Sequence, residues 1–307
     1  MSSWIGFFLR GMAMGAADVI PGVSGGTIAF IVGIYERWID ALKRLNWTAL
    51  HLFLSGYWRR LWQHIDGGFL VPLFGGIGMA VLILSKVIQY LMIYFPVPLW
   101  AFFWGLIAAS AWMVRVRIQH WNGKVLLTFF GGMAVAAWIS SMVPVQRPGT
   151  YPELVLSGAV AISAMMLPGI SGSYILMVMG KYEQAINSVA AVADGLKGLF
   201  VGRAVGFPTH EVMVLVSLMV GILVGFVMFS RLLSWLLHRY HDLTLGALMG
   251  FMVGSLYKVW PWKVTVGGKT LGYVPTLSAP ELWIGVGWMI GGMLVVWVLG
   301  RWTPSNE

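Results

Sequence analysis

The chain alternates long apolar runs with short polar loops, and two of the runs are interrupted by a Pro-Gly pair. Residues 4–20 read as an apolar helix that must stop at Pro21. Proline removes a backbone donor and clashes with the preceding turn, while Gly22 permits a sharp change of direction. A second apolar helix is predicted over 24–38. The next stretch carries Lys43, Arg44, His51, Arg59, Arg60 and His64 and reads as a solvated or interfacial loop. Its amphipathic piece, 47–62, is expected to lie along the headgroups. Spans follow at 69–94, 98–114 and 125–143, then a Pro-rich connector at 144–152. An apolar run over 154–167 reaches a break at Pro168 and Gly169, and a helix continues over 171–186. Beyond a polar, Gly-containing loop, the last spans fall at 212–237, 243–260 and 282–299.

The two broken runs are copies of one another. ADVIPGVSGGTIAFIVGIYERWID at 17–40 returns as AMMLPGISGSYILMVMGKYEQAIN at 164–187. Ala17, Pro21, Gly22, Ser24, Gly25, Ile28, Gly33, Tyr35, Glu36 and Ile39 match Ala164, Pro168, Gly169, Ser171, Gly172, Ile175, Gly180, Tyr182, Glu183 and Ile186. The correspondence continues: Ser85 and Lys86 with Ser230 and Arg231, Gly105 and Ser110 with Gly250 and Ser255, and 131–133 with 291–293. The expected fold is an all-α polytopic membrane protein with an internal repeat, each half a re-entrant helix hairpin plus about three transmembrane helices. The first repeat covers 1–145 with its hairpin at 4–38. The second covers 153–303 with its hairpin at 154–186, and the two form a single integrated transmembrane domain. Three true crossings per half make the second half enter from the opposite face, an inverted repeat.

Composition agrees with this pattern. The chain is 59% hydrophobic and 10% charged, against about 25% charged in a soluble domain, and its mean hydropathy is +0.81. The 17 Trp and 10 Tyr suit interfacial belts. The absence of cysteine excludes disulfides and thiolate metal sites. A net charge of +9 favours anionic membrane lipids as partners. Nucleic acid is not implied, because the basic residues lie in short loops between apolar spans. A modest excess of Lys and Arg on the face holding the N-terminus places both termini in the cytoplasm. Because Arg10 interrupts the apolar N-terminal run, that run is expected to be a retained membrane element.

Broken backbone at membrane depth is tolerated only where protein buries it or where it lines a polar cavity. The breaks leave the N–H groups around Ser24, Gly25, Gly26 and Thr27, and around Ser171, Gly172, Ser173 and Tyr174, at helix starts. A helix start offers convergent donors and a positive dipole end to an anion. Small residues at helix contacts are the alternative reading. Lys86 and Arg231, at equivalent positions near the middle of apolar spans, would neutralise an anion, snorkel to an interface, or pair with a carboxylate such as Asp18. Asp18 has no acidic counterpart, since Met165 stands in its place. It is a candidate for proton or cation coupling or for a local salt bridge. Glu36 and Glu183 lie fifteen residues beyond the two prolines, about 22 Å along a helix. Coupling, capping, or pairing with Arg37 and Lys181 are open to them. No cofactor, metal site or paired catalytic carboxylates are expected. Gly267, Gly268, Lys269 and Thr270 imitate the end of a phosphate loop but lack its first glycine.

At PGVSGGT and PGISGSY the sequence resembles the bacterial polyprenyl-phosphate (undecaprenyl-phosphate) transporter family, once a membrane domain of unknown function. The resemblance extends over nearly the whole chain. It implies a non-enzymatic flippase of the bacterial cytoplasmic membrane that retrieves the undecaprenyl-phosphate carrier for peptidoglycan and surface-polysaccharide synthesis. Proton or sodium coupling through Asp18, Glu36 or Glu183 would drive it. Two alternatives remain: a membrane undecaprenyl-pyrophosphate phosphatase, whose motif places Arg after the Ser where Gly25 and Gly172 stand here, and a small-anion secondary transporter.

Overall fold

The computed structural model describes residues 2–20, 23–143, 146–200, 208–266 and 269–302. The first hairpin is α1 (Ser2–Asp18) and α2 (Gly25–Ile31), and α3 (Tyr35–Lys43) follows. Two short helices, α4 (Trp47–Leu54) and α5 (Trp58–His64), lead to the long helices α6 (Gly67–Tyr94), α7 (Pro96–Arg117) and α8 (Gly123–Ser141). The pattern then recurs as α9 (Tyr151–Met166), α10 (Gly172–Val178), α11 (Tyr182–Phe200), α12 (Thr209–Arg239) and α13 (His241–Ser255). A two-stranded antiparallel hairpin, β1 (Lys263–Val266) and β2 (Lys269–Gly272), precedes α14 (Pro280–Trp302), with Lys263 opposite Gly272.

Five helices among the described residues, α6, α7, α8, α12 and α14, are long and apolar enough to cross a bilayer. The chain is an all-α, multi-pass membrane protein. The span expected at 243–260 is the shortest: α13 ends at Ser255, and 15 residues cover about 22 Å.

Several sequence expectations change, among them the single helices expected over 24–38 and 171–186. The helix expected over 24–38 is two helices, because Gly33 turns the backbone left-handed at φ 69° between α2 and α3. Gly180, at φ 74°, does the same between α10 and α11. This conformation disfavours any residue with a Cβ. The straight distance assumed from the breaks to Glu36 and Glu183 therefore does not hold. The interfacial piece 47–62 is likewise split, at Gly56. The β-hairpin was not anticipated, although two glycines between alternating strand-forming residues are a hairpin signal; Gly267 and Gly268 themselves lie outside the described residues.

The chain forms two compact units. One comprises Met1–Ser141, Leu167–Ile170 and Leu233–Glu307, and the other Met142–Met166 and Ser171–Leu232. The first unit thus contains residues of both repeats, including the Pro168 and Gly169 break. Its helices pair as α1 on α6, α7 on α14 and α8 on α13.

The pairs close through glycines that let backbones touch. A Cβ on Gly105 would overlap the Met289 carbonyl, and one on Gly250 would overlap that of Phe129. Gly292 lies against Phe102, and Gly132 against Ala247. Each of these is the other's counterpart in the repeat. In the first unit Gly11 meets Leu73 and Gly76 meets Phe8; in the second Gly158 meets Leu218 and Gly221 meets Val155. Without a hydrophobic difference between lipid and apolar side chains, such close packing is what holds membrane helices together. Replacing Gly250 by Leu should force α8 and α13 apart at a cost of about 1–3 kcal/mol or more. Thermal unfolding of the detergent-solubilised protein would show it as a lowered midpoint; an unchanged midpoint would mean the contact carries no weight.

Candidate functional site

Side chains of the first repeat hold the first break and reach the backbone of the second. Asp18 ends α1 and reaches forward to α2, where one carboxylate oxygen accepts the Gly25 N–H at 2.7 Å. The other lies where a Cβ on Gly25 would stand, at 2.6 Å. A carboxylate is unfavourable at the end of its own helix and favourable at the start of the next, and Asp18 resolves both by bridging them. Ser24 caps α2: its Oγ accepts the Gly26 N–H at 3.1 Å and donates to the Leu167 carbonyl at 3.2 Å. Thr27 is fully buried, and its Oγ1 accepts the Gly169 N–H at 3.0 Å. Gly169 itself turns left-handed, at φ 85°, against the Phe251 carbonyl and the Ser255 hydroxyl. Pro168 is buried beside it. Pro21 and Gly22 lie outside the described residues.

The second hairpin differs in its chemistry. Ser171 precedes α10, but its side chain does not cap the helix; its hydroxyl pairs with that of Ser173 at 2.9 Å. Tyr174 is buried and donates to the Met142 carbonyl at 2.7 Å. Gly172 packs on the Ala161 carbonyl and the Met165 Cβ. Gly25 and Gly172 therefore each face the residue seven positions earlier, the Asp18 carboxylate in one copy and the Met165 Cβ in the other.

The remaining candidates lie elsewhere. Lys86 on α6 and Arg231 on α12 are both exposed, and neither makes a hydrogen bond or ion pair with a described residue. Asp18 is thus not their partner. Glu36 does not pair with Arg37, which binds Asp66 at 2.9 Å and lies over the rings of Phe7 and Phe69. Glu36 instead lines a 560 Å³ cavity with His238, His241 and Asp242. Glu183 bonds Gln146 rather than Lys181. Lys181 is almost fully buried and holds Glu153 at 2.9 Å and the Arg147 carbonyl at 3.2 Å. That contact keeps the Glu153 carboxyl below its usual range.

Residues 14–271 match the VCA0040-like family, described as undecaprenyl phosphate translocase-like. This chain belongs to that family. Two similar proteins are each named polyprenyl-phosphate transporter. One, from Vibrio cholerae serotype O1, is 40% identical over 267 residues, covering 87% of this chain and 81% of the relative. The other, from Staphylococcus aureus, is 31% identical over 320 residues, covering 99% and 98%. No solved structure matches the chain.

In this translocase-like chain, the interactions that hold the break were only partly visible in the sequence. The helix-start residues were identified, but the roles of Asp18 and Thr27 were not. The signal for Asp18 was its spacing from Gly25, repeated by Met165 and Gly172. Nothing in the sequence announced that Thr27 would bond a backbone from the other repeat. Thr27→Val should leave the Gly169 N–H buried without its acceptor, a loss of about 1–3 kcal/mol. Asp18→Met should cost about 1 kcal/mol as a lost cap, whereas Asp18→Asn keeps an acceptor for Gly25 and should cost less. Thermal midpoints of the three variants in detergent check this ordering, and a midpoint for Asp18→Asn below that of Asp18→Met would refute the capping role.

Proposed function

We propose that this chain moves undecaprenyl phosphate, the polyprenyl-phosphate lipid carrier, across the bacterial cytoplasmic membrane for reuse in peptidoglycan and surface-polysaccharide synthesis. The observation that carries the reading is the family match over 14–271, which spans both Pro-Gly breaks. In this reading the repeats are inverted, both termini are cytoplasmic, and the prenyl tail stays in lipid while the phosphate crosses through protein. Helix starts at membrane depth suit that task, because they offer fixed donors where water is absent.

The position of Asp18 adds a coupling step. The N–H of Gly25 already serves a carboxylate, so a phosphate reaching Ser24, Gly25, Gly26 and Thr27 competes with a negative charge of the chain itself. Protonation of Asp18 removes the competing charge, so proton uptake and headgroup binding favour each other. Ser171, Gly172, Ser173 and Tyr174 receive the phosphate without that competitor, and Lys86 and Arg231 neutralise it as it passes. Hydrolysis is less well supported. Gly25 and Gly172 stand where the phosphatase motif places an Arg after the Ser, which leaves phosphoryl transfer without that charge beside either break.

In reconstituted vesicles the protein should accelerate movement of undecaprenyl phosphate between leaflets without releasing phosphate. Release of phosphate from the pyrophosphate lipid would assign the enzyme instead. Translocation should slow as pH rises in the wild type and lose this dependence in Asp18→Asn. A pH profile identical in the two proteins would remove Asp18 from coupling, and a response to a sodium gradient alone would replace the proton. Lys86→Met and Arg231→Met should each reduce the rate at least tenfold, and rates equal to the wild type would take them out of the pathway.

A further inference from the structure

The two repeats pair corresponding helices, α7 with α14 and α13 with α8. At mid-helix the pairs are alike, Gly105 on Met289 answering Gly250 on Phe129. One turn farther on they differ. Gly254 packs on the Met133 carbonyl and the Ala136 Cβ, so the α8 and α13 backbones stay in touch. By the same register Ala109 stands in place of Gly254, and Val296 and Trp297 in place of Ala136 and Ala137. With these larger side chains an apolar groove of about 550 Å³ opens between α7 and α14. It is lined by the small Ala108 and Ala109, by Ile290 and Met293, and by the indoles of Trp112 and Trp297 among others.

α7 and α14 run in the same direction: Val97 and Leu282 belong to one cluster with Ala101 and Met289, and the groove uses the later turns of both helices. Trp112 and Trp297 each lie five residues before the end of their helix, at Arg117 and Trp302, about 7.5 Å along the axis. Indoles at that depth fit the boundary between headgroups and acyl chains, and both are more than half exposed. The groove also has a cation at its edge, because the Arg115 guanidinium lies 4.6 Å above the centre of the Trp112 ring. Arg115 makes no ion pair with a described residue. In sequence α7 and α14 hold one carboxylate between them, Glu281, and it stands at the start of α14, the far end of the pair. Asp242, beyond the loop that follows α7, already accepts the N–H groups of Gln119 and His120.

We infer that the α7–α14 groove binds an anionic phospholipid, with one acyl chain between Trp112 and Trp297 and the phosphate against Arg115. From Ile290 to Trp297 the groove runs seven residues, about 10 Å of chain contact. One guanidinium matches the single charge of a phosphodiester, and its planar fork suits two phosphate oxygens at once. An apolar groove alone makes no choice among headgroups, and an arginine alone holds no chain. Trp112 joins the two, since its ring lines the groove and carries the guanidinium. A second copy meeting this face with the same face would bring arginines and no carboxylate to that end of the pair, so a lipid is the better complement. The site needs only that the chain spans a bilayer and is independent of the proposed transport function.

Native mass spectrometry of the full-length protein tests the site, with phosphatidylglycerol or phosphatidylcholine of the same acyl chains added to the detergent. The first phosphatidylglycerol should bind about fivefold more tightly than the first phosphatidylcholine, the worth of one cation near the membrane surface. Arg115→Gln should remove that preference, and Arg115→Lys, which keeps the charge, should retain most of it. Ala108→Phe should weaken both lipids by filling the groove. Thermal midpoints of Arg115→Gln and Ala108→Phe in lipid-free detergent should equal that of the wild type, which separates a lost site from lost folding. Equal phosphatidylglycerol binding by the wild type, Arg115→Gln and Ala108→Phe overturns the site. Phosphatidylcholine bound as tightly as phosphatidylglycerol overturns the anionic assignment. A dimer that Ala108→Phe dissolves gives the groove to a second copy, and displacement of phosphatidylglycerol by undecaprenyl phosphate at equal concentration gives it to the proposed carrier; either overturns the phospholipid. None of these readings involves translocation, so their failure leaves the transport function standing.

Discussion

The hydrogen bond from the Gly169 N–H to Thr27 Oγ1 ties the backbone break of one repeat to a side chain of the other. A broken helix inside a membrane exposes backbone donors and acceptors that water cannot reach, each costing several kcal/mol if left alone. Here the donors and acceptors of the two breaks are shared out locally. Ser24 takes the Leu167 carbonyl, Thr27 takes the Gly169 N–H, and Asp18 takes the Gly25 N–H. The Pro168 break consequently belongs to the compact unit built largely from the first repeat, although the chain on either side of it does not.

Around the breaks, the packing follows the duplication. Gly105 on Met289 and Gly250 on Phe129 are one contact made twice, as are Gly292 on Phe102 and Gly132 on Ala247. These are backbone-to-backbone approaches, so side-chain exchange elsewhere on the helices leaves them intact. That explains how the two halves diverged in most positions while keeping the same glycines. It also explains why α13 can be short: its anchorage is the glycine face against α8, not its length.

Much of this was legible in the sequence, because the features that set the architecture are local. Apolar run length predicted the long helices, and the paired Pro-Gly motifs predicted two breaks. Residue identity also singled out Ser24 and Thr27. The expected continuity of 24–38 failed because apolar periodicity does not register a single left-handed glycine, although Gly33 and Gly180 were among the matched positions. Partners 28, 29 and 142 residues apart in the chain were not legible. Arg37 lies next to Glu36 in sequence but binds Asp66, and Lys181 passes over Glu183 for Glu153. Sequence adjacency favours neither, because successive helical residues point in different directions. The β-hairpin lay in a stretch whose sequence had been read only as a failed phosphate loop.

Function in a duplicated scaffold is carried by what the copies do not share. Asp18 faces Gly25 where Met165 faces Gly172. A difference in headgroup affinity between the two faces of a carrier changes which step is slow, but it leaves the equilibrium across the membrane untouched. Net retrieval against a gradient requires a second species whose binding is linked to that of the lipid. A carboxylate seated on the donors of a helix start can supply direction, since its ionised form and the phosphate compete for the same donors and its protonation relieves that competition.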